Sequence, residues 1–467
     1  MTILPDNPQI VSSEDAEPVR RRAIYSWFMF DWATQPVATL ITTFVFAPFF
    51  VDYVAANEEI GTAQWGWTLA AAGLFVALLS PVLGAIADAA GRRKPWIAAF
   101  SIPLVIGCIL LWFAEPGAEY AVAVTLIGVF LATIGAEFAE VFTNAMMPSL
   151  VHSSRMGRLS GSGWAIGYLG GMVALVIVIG LLVADPDDGE TFLGLAPLFG
   201  LEPESYEGVR ASGPLSALWY LIFVPPLFLF VPDTPRMMAA RTAVRTGLHN
   251  LRETLRNIRQ YRNIVRYLIA RMIYADGLVG LFAFGGVYAT STFDWGTTEF
   301  LLFGMLVIIA AIPGAFIGGR LDDRLGSKRI ILWSIVILVM ASIAALSITA
   351  DSIFFGIEVD PPVEGDGMYA SVGEKLYLFI GAIIGLIAGP LQAASRTLII
   401  TLSPKQQMTQ FVGMFALSGK LTTFAAAAVV AAVTTIADSQ RIGISTLVLF
   451  FIVGGLLLLR VDPTPQE

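Results

Sequence analysis

The sequence predicts an all-α membrane protein: twelve transmembrane helices in two six-helix halves, with both termini cytoplasmic. Three observations carry this reading. The 467 residues are 56% hydrophobic and only 14% charged, with a mean hydropathy of +0.74, whereas soluble proteins carry about a quarter charged residues. Apolar stretches recur near 24–53, 65–89, 96–114, 121–147, 159–183, 215–231, 264–290, 298–320, 329–349, 375–399, 410–435 and 442–460. Each is long enough to cross the hydrocarbon as a helix, which takes about 20 residues and satisfies its own backbone there. The basic residues also segregate. With the termini inside, the outer loops hold only Arg210, Lys375 and Arg441 among 28 Lys and Arg, the bias that orients membrane proteins.

The segments follow in order. A polar tail, 1–22, ends in Arg20, Arg21 and Arg22 and has no cleavable-signal pattern. The first bundle covers 23–231 and the second 264–460, with a short tail at 461–467. Between them, 232–263 carries Arg241, Arg245, Arg252, Arg256, Arg259 and Arg262, with Val244, Leu248, Leu251, Leu255 and Ile258 at helical spacing. That pattern is an amphipathic helix with a basic face, suited to anionic lipid headgroups, with a solvated linker helix as the alternative. One cysteine, Cys108, and two histidines leave no basis for a transition-metal site or a cofactor. A net charge of −8 gives no nucleic-acid footprint. The chain is expected to act as a monomer.

The halves share a short sequence. "GAIADAAGRRK" (84–94) aligns with the end of "GGRLDDRLGSKR" (318–329): Gly84, Asp88, Gly91, Arg93 and Lys94 fall on Gly319, Asp323, Gly326, Lys328 and Arg329. Both copies lie between the second and third span of their half. This Gly-x-x-x-Asp-x-x-Gly-basic-basic loop resembles the signature of the major facilitator superfamily, built as a parallel repeat of six spans. The small residues permit close helix contact. Each Asp is placed to face the positive end of a helix in the other half. Gly84, Asp88, Arg92, Gly319, Asp323 and Lys328 are thus the expected inner latch, with simple orientation of the loop by its Arg and Lys residues as the structural alternative.

Several stretches resemble one branch of that superfamily, the vacuolar amino-acid effluxer family known from fungal autophagy. They are "YSWFMFDWATQP" (25–36), "VFTNAMMPSL" (141–150), "SGSGWAIGYLGG" (160–171), "YADGLVGLFAFGGVYA" (274–289), "GPLQAASRTL" (389–398) and "FALSGK" (415–420). The resemblance implies a secondary transporter, with amino acids as the best-known cargo.

Seven ionisable groups fall within the spans: Asp31, Glu137, Glu140, Arg271, Asp276, Arg396 and Lys420. Charges at membrane depth face a partner or a wet cavity. Glu137 and Glu140 share one helix face, where two close carboxylates hinder each other's ionisation; they are the expected proton-coupling pair, with a buried hydrogen bond to Asn144 as the structural alternative. Arg271, near a span end, is expected to snorkel to the headgroups. Lys420 and Arg396, with Asp31 and Asp276, are expected to line a cavity fit for a zwitterion, Lys420 meeting the cargo's carboxylate with Arg396 in support. In the empty state Asp276 or Asp31 would neutralise Lys420. Trp32, Asn144, Trp164, Tyr168 and Gln392 complete the expected solute contacts, while Gly163, Gly167 and Gly171 form a small-residue packing row.

The function expected is secondary active transport of a small polar solute, an amino acid on the resemblance, with proton coupling. A competing reading is an exporter of amphipathic compounds, which would have a mainly aromatic cavity. A membrane sensor or scaffold would need a further soluble domain. An enzyme or ATP-driven pump is disfavoured, because no nucleophile elbow, paired His ligands or phosphate-binding loop occurs.

Overall fold

The computed structural model describes residues 13–185, 189–361 and 367–464. The sequence-expected terminal tails fall partly outside these, at 1–12 and 465–467. Eleven described helices are long and apolar enough to cross a membrane, and a bent pair brings the total to 12. Span 1 is that pair, Arg20–Phe44 and Phe46–Val54. Spans 2 to 6 are Glu58–Ala90, Lys94–Phe113, Ala121–Asn144, Ser153–Leu181 and Glu207–Phe230. Spans 7 to 12 are Ile258–Phe293, Thr298–Leu325, Ser327–Leu346, Val372–Leu402, Lys405–Ala437 and Gln440–Leu459.

Two helices depart from straight rods for local reasons. Pro36 lacks the N–H that would bond Trp32 O, and the Trp219 indole supplies that bond instead at 3.0 Å. Beyond Pro36 the chain winds as a π-helix, Val37–Phe44, in which the Thr42 and Thr43 hydroxyls both bond Ala38 O. It then bends by 40° into Phe46–Val54. Span 11 is interrupted too: one helix ends at Lys420 and the next begins at Thr423. The Thr423 hydroxyl bonds Lys420 O across the gap.

The halves meet chiefly where span 2 packs on span 11 and span 5 on span 8, contacts that a parallel repeat makes equivalent. Glycine makes both possible. A Cβ on Gly84 would run into the backbone of Thr409 and Gln410, and one on Gly319 into Gly157 and Gly161. Gly163, Gly167 and Gly171 instead face Asp31, Gln35 and Thr39, packing span 5 on span 1.

The linker helix, Ala240–Arg256, buries Ala243, Gly247 and Leu251 and seats Gly247 on Ala85 and Ile86 of span 2. Its apolar residues divide: Val244, Leu248 and Leu255 remain exposed beside the arginines.

Candidate functional site

Both repeated loops lie on one face, called here the loop face. There Asp88 accepts backbone N–H bonds from Thr409 and Gln410, at 3.1 and 2.9 Å, at the start of the helix Met408–Lys420. Arg93 joins the contact, through Nε to Thr409 Oγ1 at 2.9 Å and Nη2 to Asp88 at 3.5 Å. Its counterpart is Asp323, which accepts from the Arg158 backbone N–H at 3.1 Å and from Arg158 Nε at 2.7 Å. Each aspartate thus meets the first turn of a helix from the other half, where free N–H groups and the helix dipole favour a carboxylate.

Two expected latch residues do other work. Arg92 is exposed, because Arg93 is the neighbour turned toward Thr409. Lys328 Nζ bonds Leu459 O and Val461 O at the end of span 12, so it ties loop to helix within one half. Arg158 is the cation that crosses, and its place on span 5, far from either loop in sequence, concealed it.

Between the halves lies a chamber of about 210 Å³. It is lined from span 4 by Glu137, Glu140 and Asn144, from span 5 by Trp164, from span 7 by Arg271, from span 10 by Gln392 and Arg396, and from span 11 by Phe415, Gly419 and Lys420. A vestibule adjoins it, lined by Thr34, Gln35 and Thr42 of span 1, Gly66 to Gly73 of span 2, and Thr423 and Phe424 of span 11. Those span 2 residues occupy the half away from Asp88, so the vestibule leads to the face opposite the loops. Glu137, Glu140, Val279 and Lys420 line both spaces.

Arg396 is the structural centre. Only 3% exposed, it donates Nε to Ser160 Oγ at 2.9 Å, Nη2 to Ser160 O at 2.8 Å and Nη1 to Asn144 Oδ1 at 3.0 Å. Asp31 Oδ2 lies 3.4 Å from Nη1. One guanidinium thereby ties spans 1, 4, 5 and 10 together, and its planar fork suits that many partners. Asn144 passes the network on, donating to Glu140 Oε1 at 3.2 Å. Trp27 and Trp164 lie against the guanidinium. Ser160 and Trp27 escaped sequence reasoning, since a lone Ser or Trp in an apolar span has no distinguishing mark.

Lys420 Nζ pairs with Glu137 Oε1 at 2.6 Å, where the two side chains are 33% and 28% exposed. The expected neutralisers do not reach it: Asp31 is engaged with Arg396, and Asp276 lies outside the chamber. Asp276 is 2% exposed with Oδ1 unpaired among the described residues; its neighbour Gly277 faces Leu447, Phe450 and Phe451 of span 12. The helical turn that points Ala275, Leu278 and Val279 inward points Asp276 away.

Trp32 is likewise displaced from the expected solute contacts, its ring stacked on Trp219 at 5.5 Å. Tyr168 packs on Trp164 at 5.4 Å behind the chamber wall. Arg271 does not snorkel. It turns inward, donating to Phe415 O at 2.7 Å and Ser418 Oγ at 3.0 Å.

Twelve spans in two packed halves, with a charged chamber between them, define a secondary transporter of the major facilitator type, not an enzyme. The chain belongs to the Atg22-like vacuole effluxer family, whose model matches residues 67–464. It is 24% identical to the MFS-type transporter YxiO of Bacillus subtilis over 95% of this chain and 94% of that one. To autophagy-related protein 22 of Cryptococcus neoformans it is 24% identical over 63% of this chain and 51% of that protein, so the match spans about half the length of this fungal relative. In fold it is similar to the E. coli fucose:proton symporter FucP, with a TM-score of 0.65, 15% identity and coverage of 95% and 98%.

Proposed function

We propose that this protein moves a small polar solute, an amino acid, across a bacterial cell membrane by proton-coupled alternating access. The observation that carries the reading is the chamber. It presents Glu137 and Glu140 against Arg271, Arg396 and Lys420, a lining matched to a solute bearing both charge signs rather than to an amphipathic one. Its vestibule extends along the half of span 2 away from the loops, while Asp88 and Asp323 clasp helix starts on the loop face. That is one end state of a rocking cycle.

With the basic-rich loop face placed in the cytoplasm, the state is outward-facing. Release of the two aspartate contacts opens the inner side. Glu137 is the proton site: protonation removes its charge, frees Lys420 and unlinks span 11 from span 4. Glu140, Arg271 and Lys420 are the charged groups around it. That the E. coli relative in fold is a proton symporter supports coupling, and the resemblance of the sequence motifs to the vacuolar amino-acid effluxers supports amino-acid cargo. The exposed linker arginines meet anionic lipid, and the monomer suffices because one chain encloses the whole chamber.

Counterflow of labelled amino acids in proteoliposomes, with and without a pH gradient, tests this. Movement of at least one amino acid, with accumulation driven by the gradient, is the expected result. A purified, folded protein that moves none of them would rule out the cargo assignment.

A further inference from the structure

Of the five charged side chains lining the chamber, three already have an ionic partner. Lys420 and Glu137 hold each other at 2.6 Å, and Arg396 holds Asp31 at 3.4 Å along with Asn144 and Ser160. Arg271 and Glu140 are left. No carboxylate reaches ion-pair distance of Arg271 among the described residues. Nη1 bonds only the neutral Phe415 O and Ser418 Oγ, and the guanidinium lies over the Phe415 ring, 3.5 Å from its centre. Its Nε and Nη2 have no hydrogen-bond partner there. Glu140 accepts one bond, from Asn144, and no cation stands within ion-pair distance of it among the described residues.

We propose that Arg271 and Glu140 form the recognition pair of the chamber. Arg271 takes the anionic group of the cargo and Glu140 the cationic group, while Lys420 serves the moving helix through Glu137 and is not the cargo's partner. The inference rests on the cargo reading above and assigns its two charges to residues.

Two physical arguments support the assignment. Arg271 and Glu140 are half-buried, and a charge that lacks a counter-charge gains more from an incoming ion than one already paired. A ligand carboxylate arriving at Lys420 must first displace Glu137, recovering little. Arg271 also presents unused N–H donors on a planar fork, the geometry that grips a carboxylate in two places. The sequence makes room for this group: a Cβ on Gly419 would collide with the Arg271 guanidinium, so glycine there lets Arg271 turn inward against the break in span 11.

The test is binding by calorimetry to the purified full chain in detergent. The standard amino acids are screened first, followed by the amide and the deamino acid of the tightest binder. Arg271→Gln is expected to weaken the amino acid by about thirtyfold or more, the loss of one partner of a desolvated charge pair, and to spare the amide, which has no carboxylate. Glu140→Gln is expected to weaken amino acid and amide alike while sparing the deamino acid. Lys420→Gln is expected to weaken the amino acid less than Arg271→Gln does, and to weaken the amide by the same factor as the amino acid. Should Arg271→Gln not fold, Arg271→Lys carries the test: a weaker amino acid with an unchanged amide supports the pair, and equal loss of both refutes it. Wild-type binding abolished by Lys420→Gln but not by Arg271→Gln overturns the assignment alone. A wild type that binds no amino acid overturns the cargo reading and this pair with it.

Discussion

Lys420 Nζ stands 2.6 Å from Glu137 Oε1, so an ion pair joins span 11 of one half to span 4 of the other at the boundary between vestibule and chamber. Both side chains are about a third exposed, so water screens the pair and its net contribution to stability is about 1 kcal/mol or less. Its weight is in conformation. Glu137→Gln is expected to abolish gradient-driven accumulation while leaving solute exchange across the membrane largely intact. Accumulation and exchange assays on the same proteoliposomes separate the two. Accumulation that survives the substitution would move proton coupling elsewhere.

The loop-face clasp has a second consequence. Asp88→Asn keeps the shape but removes the charge that faces the N–H groups of Thr409 and Gln410, a loss of about 1–2 kcal/mol for two charge-assisted bonds in a partly wet site. That is enough to shift the population about tenfold toward the opposite state. Thr42 lines the vestibule, so a Thr42→Cys reporter in a Cys108→Ser background should label several-fold more slowly in the Asp88→Asn protein. Unchanged labelling would leave Asp88 without a latch role.

Arg396 should tolerate no replacement. Lysine offers a point charge where the guanidinium contacts Ser160, Asn144 and Asp31 together. Arg396→Lys is expected to cost about 2–4 kcal/mol, near the cost of breaking a buried pair. A drop in thermal unfolding midpoint, measured in the same detergent, reads this out. A midpoint within a degree of wild type would show that the network does not hold the four spans.

Asp276 gives the opposite expectation. Its carboxyl is buried and Oδ1 finds no partner among the described residues, a costly arrangement for an ionised group. Asp276→Asn should therefore leave transport within about twofold of wild type and stability unchanged or raised by up to about 1 kcal/mol. Complete loss of transport in a folded Asp276→Asn protein would contradict its placement outside the chamber.

The helices, their division into halves and the paired loops were legible in the sequence because they depend on local quantities. A run of apolar residues must span, and Gly84 and Gly319 mark the same turn of the repeat. The placement of Asp88 against a helix of the other half also followed from the repeat, although its partners Thr409 and Gln410 did not. The depth of Lys420 and Glu137 could be counted, which marked both as residues in need of a partner. Which carboxylate answers which cation was beyond the sequence. Glu137 and Lys420 are separated by 283 positions, Asp31 and Arg396 by 365, and a helix rotation of one residue, about 100°, decides whether a side chain faces the chamber. That rotation carries Asp276 out and Arg271 in. The sequence by itself determined a twelve-helix repeat with charges stranded at membrane depth. Only the tertiary structure decided their pairing, because pairing depends on distances between helices, and packing sets those distances.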